Sequence, residues 1–177
     1  MARSKKAQAA IDDALALDTA EEQVGLGVDI VEIERMRRIL DRTPTFARRV
    51  FSEEERIYCE SHADPAVHYA ARFAAKEAVV KALGYGFTAG IGVRDIEVVR
   101  QSSGKPAIHL GGNAARIAQE MGVIELPISL SHTHTDAIAC AIAITAGSRT
   151  AAKRREDPYA RLARQFKDAK GMLDDIS

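Results

Sequence analysis

Asp29, Glu77 and Lys81 are charged residues set among small and apolar neighbours, and that setting marks them as candidates for chemistry. Glu77 and Lys81 stand four apart in RFAAKEAVVK, residues 72–81, so a helix puts them on one face. The spacing fits an ordinary surface ion pair. The turns around it are alanine and valine, however, and charge on a buried helix needs a partner or a metal. Lys76 precedes Glu77 and points to a different side. Asp29 lies in VGLGVDI, residues 24–30, where its neighbours on the same strand face are Gly25 and Gly27. Glycines there let a ligand or another backbone come close. At a strand-to-helix junction, Asp29 is also of a type that caps a helix N-terminus. One carboxylate from a strand end and one from a helix can jointly hold Mg²⁺, which takes one or two carboxylates, keeps several waters and draws its other ligands from substrate phosphates.

Two further segments are candidates. In SLSHTHTD, residues 129–136, His132 and His134 fall on one face of a strand. The pair suits either zinc or a phosphate, but no third zinc ligand stands at a recognisable spacing. SGKP, residues 103–106, is a turn signal leading into a strand.

These residues need a scaffold, and the pattern supplies one. Val24, Leu26, Val28 and Ile30 alternate with the glycines and Asp29, as in a strand. A helix follows, with Ile33, Met36 and Leu40 on its apolar side. After Pro44 comes a short segment with Phe46, Val50 and Phe51. Ser52 and Glu55 make a capping box for the next helix, which is expected to end near His62. Asp64 and Pro65 then start a long alanine-rich helix that stops at Gly84. VRDIEVVR and KPAIHL read as strands joined by QSSG, Asn113 to Met121 as a helix, and PISLSHT and AIACAIAI as a hairpin across THTD. The order β-α-α-α-β-β-α-β-β predicts an α+β domain with a mostly antiparallel sheet packed on the long helix. Residues 1–23 are expected to be a frayed or disordered extension, 24–145 the folded domain, and 146–177 a charged tail able to form a helix.

Hydrophobic residues are 46% and charged residues 28% of the 177-residue chain, and formal net charge is zero. That balance predicts a cytosolic fold and argues against a nucleic-acid or membrane partner. Cys59 and Cys140 are the only cysteines and lack CxxC spacing, so a disulfide framework is not expected. Charge is uneven: Arg35, Arg37, Arg38, Arg42, Arg48 and Arg49 face only Glu32, Glu34 and Asp41 between residues 32 and 51. Such a basic patch predicts either an acidic protein partner or a solvated mixed-charge face.

Taken in order, GLGVDIVEIER, RFAAKEAVVKALG, SGKP and ISLSHT resemble the holo-acyl-carrier-protein synthase family over residues 24–145. The resemblance implies the 4′-phosphopantetheinyl transferase fold and transfer of 4′-phosphopantetheine from coenzyme A to a serine of apo-acyl carrier protein, in support of fatty acid biosynthesis. It implies Asp29 and Glu77 as ligands of Mg²⁺, with Asp29, Glu77 and Lys81 catalytic and Glu77 the candidate base. It implies Lys81, Lys105 and His132 as coenzyme A contacts, and Arg35 and Arg49 as the surface that meets the acidic carrier. It further implies a homotrimer with each site at a subunit boundary. A fused double-unit transferase is disfavoured because no internal repeat is present. The rival of another class is a non-catalytic basic scaffold, which would not need Asp29, Glu77 and Lys81 together.

Overall fold

The computed structural model describes residues 24–86 and 90–154, with side chains as far as residue 150. The expectations for residues 1–23 and for the tail beyond 154 lie outside the described residues.

Strand β1 (Gly25–Glu32) leads into α1 (Ile33–Arg42), α2 (Phe46–Val50), α3 (Glu53–Glu60) and the long α4 (Pro65–Ala82). A 3-10 turn (Val93–Asp95) precedes β2 (Ile96–Arg100) and β3 (Pro106–Leu110). Helix α5 (Gly112–Glu120), β4 (Val123–Glu125), β5 (Ile128–His132), β6 (Asp136–Thr145) and α6 (Ala146–Arg154) follow and are the last of the described elements. The architecture is the expected α+β, and each predicted element is present, except that Val93–Asp95, read as the start of the strand VRDIEVVR, form a 3-10 turn and the strand begins at Ile96. Three elements are additional. Val50 is buried, which lets the segment after Pro44 close as a short helix, α2. β4 pairs with the end of β6. The first turn of α6 belongs to the packed body, because Thr145 and Ser148 each donate a backbone N–H to the other's hydroxyl at 3.0 Å.

All strand pairs are antiparallel, in two sheets rather than one. β6 is the centre of the larger sheet, flanked by β1 on one side and by β5 and β4 on the other; β2 and β3 form a separate ribbon. Register aligns Asp29 with Ala139 and Leu130, and Val31 with Ala137 and His132, across β1, β6 and β5. Ala137, Ala139, Ala141 and Ala143 of β6 are buried, as are Ala71, Ala74, Ala75, Ala78 and Ala82 of α4. This smooth alanine contact lets α4 sit directly on the sheet. The approach is closest at β1. A methyl group on Gly27 would lie 1.9 Å from the Ala78 carbonyl oxygen, and one on Gly25 would lie 1.9 Å from that of Ala82. The glycines therefore make room for a helix backbone.

Local signals set the helix ends as read. Ser52 and Glu55 form the reciprocal capping box of α3. Asp64 caps α4, with Pro65 at its first position. Asp29, by contrast, is not a cap: the N-cap of α1 is Glu32, three residues later, and the helix starts at Ile33. Its carboxylate is free for another use.

Candidate functional site

Asp29 projects from the helix-facing side of β1, and Glu77 and Lys81 come from successive turns of α4. The glycine–alanine contact brings these elements together. Lys81 Nζ lies 2.8 Å from Asp29 Oδ1 and also donates to the Val28 carbonyl at 3.0 Å. The ion pair expected within the helix, Glu77 with Lys81, is not formed among the described residues; Lys81 reaches across to the strand. Glu77 is left half-buried beside Asp29. Burial, and after it the negative charge of Asp29, push the Glu77 carboxyl above its usual range, and Lys81 pulls it partly back. Two carboxylates that disfavour each other's charge form an oxygen-donor set suited to a hard divalent cation. Among the described residues there is no cluster of three or more His, Cys, Asp and Glu able to hold a metal. The pair thus fits an ion that takes few protein ligands and several oxygens from water or phosphate, as Mg²⁺ does.

Asp29 and Glu77 open onto a cleft of about 480 Å³, lined also by Arg35, Met36 and Phe73. Arg35 brings the basic face of α1 to the carboxylates. Arg49, on α2, is exposed and does not line this cleft.

Lys76 has a different position. It is buried and pairs with Glu55 at 2.9 Å, the two side chains being 1% and 0% exposed. Its ammonium also bonds the carbonyls of Ile96 and Val93. Glu55 accepts from Ser52 N at 2.9 Å and from Val98 N at 3.1 Å. The buried ion pair of the helix is therefore that of Lys76, and its partner is the capping-box glutamate. This cross-tie joins α3, α4 and β2.

His132 lies elsewhere. It ends β5, with β6 between it and Asp29, and it lines a second cavity of about 250 Å³ that shares no residue with the first. Gly104 and Pro106 of SGKP reach this cavity, while Lys105 lines the neighbouring groove between β3 and β5. His134 is exposed in the turn and lines neither cavity. Three residues absent from the sequence-level candidates meet His132 here: Arg72, Arg100 and His68. The guanidinium of Arg72 stacks 3.8 Å over the Tyr58 ring, and its buried Nε has no hydrogen-bond partner among the described residues. Among the described residues, no carboxylate lines the cavity. Two arginines and two histidines without a counter-charge make a pocket for an anion. Arg72 lies within the quoted helix motif, but nothing in spacing alone says that it turns toward β5.

The model of the 4′-phosphopantetheinyl transferase superfamily matches residues 25–143. The chain is 47% identical over 119 residues to the holo-[acyl-carrier-protein] synthase of Syntrophotalea carbinolica, covering 67% of this chain and 93% of that one. It is 48% identical over 120 residues to the enzyme of the same name from Alkaliphilus metalliredigens, covering 67% and 97%. Among solved structures, a holo-(acyl-carrier-protein) synthase from Bacillus anthracis in complex with CoA (3′,5′-ADP) superposes with a TM-score of 0.57 at 31% identity, covering 69% of this chain and 96% of that one. The Neisseria meningitidis synthase gives 0.62 at 31% identity, covering 67% and 96%.

Proposed function

The chain belongs to the 4′-phosphopantetheinyl transferase superfamily, and on that premise we propose that it is a holo-acyl-carrier-protein synthase. It transfers 4′-phosphopantetheine from coenzyme A to a serine of apo-acyl carrier protein and releases adenosine 3′,5′-bisphosphate. The observation that carries this reading is the meeting of Asp29, Glu77 and Lys81 at the β1–α4 contact, in a chain that matches the family from residue 25 to 143.

Asp29 and Glu77 would hold Mg²⁺. When bound, that ion supplies Lewis-acid stabilisation of the coenzyme A diphosphate. The rest follows from the chain's own groups. The carrier serine oxygen forms a bond to the pantetheine-side phosphorus as that phosphorus loses its bond to adenosine 3′,5′-bisphosphate. The serine proton passes to a Glu77 oxygen, whose proton affinity is raised by burial and by the charge of Asp29. Lys81, half-exposed and bonded to Asp29, faces the charge that grows on the leaving diphosphate oxygen. The second cavity takes the phosphates of the nucleotide, through Arg72, Arg100 and His132, with the SGKP turn as its rim and Lys105 just outside. Arg35, in the cleft, and Arg49, exposed on α2, meet the acidic carrier surface.

The working form is a homotrimer. Leu26 and Ile30 on the outer face of β1 are 64% and 61% exposed, and Val24 and Val28 extend the same apolar row. Such a row favours burial against another copy. A neighbour would also bring a His132 cavity to the Asp29–Glu77 cleft, which a single chain keeps apart. Residues 24–145 carry the transferase unit, with the first turn of α6 packed onto it and 1–23 and the rest of 146–177 as flanking segments, and the enzyme serves cytoplasmic fatty acid biosynthesis. Among the described residues, no helix is long and apolar enough to cross a membrane.

Mass spectrometry of an apo-carrier incubated with the protein, Mg²⁺ and coenzyme A tests the reading. One serine should gain phosphopantetheine with stoichiometric release of adenosine 3′,5′-bisphosphate. An unmodified carrier that still binds the protein would favour the scaffold instead.

A further inference from the structure

His68 is a part of the second cavity to which the transferase reading gives no task. It stands on the first turns of α4, one turn before Arg72, and its ring stacks on His62 with centroids 3.8 Å apart. Tyr58 of α3 closes the other side, edge-on to His68 at 5.6 Å and 4.6 Å from His62. His62 is anchored by a 2.7 Å contact between Nδ1 and the Tyr58 carbonyl oxygen. His68 itself lines the cavity together with Arg72, Arg100 and His132.

We propose that His68 binds a phosphate of the nucleotide in its protonated form, so that coenzyme A binding takes up a proton at this ring. This rests on the reading of the second cavity as the nucleotide site.

The groups around His68 explain why the proton comes with the ligand. His62 faces it from the α3–α4 turn, Arg72 from its own helix, Arg100 from β2 and His132 from β5; among the described residues, the Asp64 cap of α4 is what offers negative charge. Burial, and after it the positive character of His62, Arg72 and His132, hold the free His68 below the usual histidine range. An entering phosphate reverses the balance. It places two negative charges beside a ring that the empty pocket keeps neutral, and it turns repulsion among cations into shared attraction. A charge-assisted hydrogen bond then forms from the imidazolium to a phosphate oxygen. The sign is fixed: binding tightens as pH falls through the range where free His68 is neutral and bound His68 is charged.

Titration calorimetry of the full chain with coenzyme A, in two buffers of different ionisation enthalpy, reads this proton directly. Wild type should take up a proton on binding between about pH 6 and 7.5, around the usual histidine value. His68→Gln should lose that uptake. Its affinity should fall behind wild type by about tenfold at the acid end, as expected for one charge-assisted bond. The ligand's own phosphate titration is common to both proteins and cancels in the comparison. His62→Asn removes the stacked neighbour and should move the uptake to higher pH. Dephospho-coenzyme A in parallel tells whether the ribose phosphate or the diphosphate is the group bound. Failure of coenzyme A to bind, or binding indifferent to His132→Gln at every pH, overturns the nucleotide reading of the cavity. Binding that is sensitive to His132→Gln but has the same proton uptake in His68→Gln overturns the role of His68 alone.

Discussion

Lys81 forms its ion pair with Asp29, 52 positions away on β1, and not with Glu77 one turn earlier on its own helix. The amine pairs with one carboxylate, while burial, and after it the charge of Asp29, raise the proton affinity of the other, which Lys81 only partly offsets. On the proposed reading both acids hold Mg²⁺, and Glu77 also accepts the serine proton.

Asp29→Ala and Glu77→Ala should each lower transfer by at least about 10²-fold, the scale of losing one preorganised charge at a phosphoryl centre. The fold should persist, since the Asp29–Lys81 pair is partly solvated, with Lys81 49% exposed. Release of adenosine 3′,5′-bisphosphate at saturating Mg²⁺ is the assay. A near-normal rate in either variant would refute the two-ligand arrangement.

Glu77 also makes a stability prediction. Its folded-state proton affinity lies above that of an unfolded carboxylate at 4.5. The stability it contributes is complete below that value and is lost as pH rises through the higher folded one. Without divalent cation, Glu77→Gln should therefore raise Tm near neutral pH, by about 1–4 °C on the usual scale for a chain of this size. The gain should shrink as the solution is acidified below the carboxylate range. Thermal melts in chelator across that range decide it; a Tm below wild type at neutral pH would contradict it.

Gly27→Ala should be among the most damaging single changes. The new methyl would meet the Ala78 carbonyl oxygen at 1.9 Å and the Ala82 nitrogen at 2.6 Å, both backbone atoms that cannot turn aside. Helix α4 would have to lift from β1, at about 3 kcal/mol or more, and Glu77 would move away from Asp29. The expected result is loss of both stability and activity. Denaturant unfolding within about 0.5 kcal/mol of wild type, the level of an ordinary surface change, would show that the contact has slack.

Lys76→Met leaves Glu55 buried without its cation and should cost about 3–5 kcal/mol. Adding Glu55→Gln should recover part of that loss, because the stranded charge is then gone. Incomplete recovery is expected, since one amide oxygen cannot serve both Ser52 N and Val98 N as the two carboxylate oxygens do. A double-mutant cycle in denaturant measures the coupling; strictly additive effects would mean that the pair is not coupled.

Arg35→Glu should raise the KM for the carrier about tenfold at low salt, with little change in coenzyme A affinity, and the effect should fade as salt is added. Arg35 lines the carboxylate cleft but not the nucleotide cavity, which is why the two constants should separate. An unchanged carrier KM at low salt would remove α1 from the docking surface.

The sequence by itself determined what depends on neighbours a few residues away. The Ser52–Glu55 box, the Asp64–Pro65 start of α4, the alternation of β1 and the hairpin across THTD are all local, and each stands where its pattern put it. The motif residues Asp29, Glu77 and Lys81 were legible too, because small residues around isolated charges are unusual in any fold. Only the tertiary structure decided partners. Glu55 looked like a helix cap and is also the counter-ion of Lys76 and the acceptor for β2, since the third dimension brings Val98 to it from 43 positions away. The element count rose because α2, β4 and the first turn of α6 are held by packing and pairing contacts that no short window contains. The anion cavity of His68, Arg72 and His132 was hidden for the same reason: which side of a helix faces which strand is set by the closest packing available, here Gly25 and Gly27 against Ala78 and Ala82.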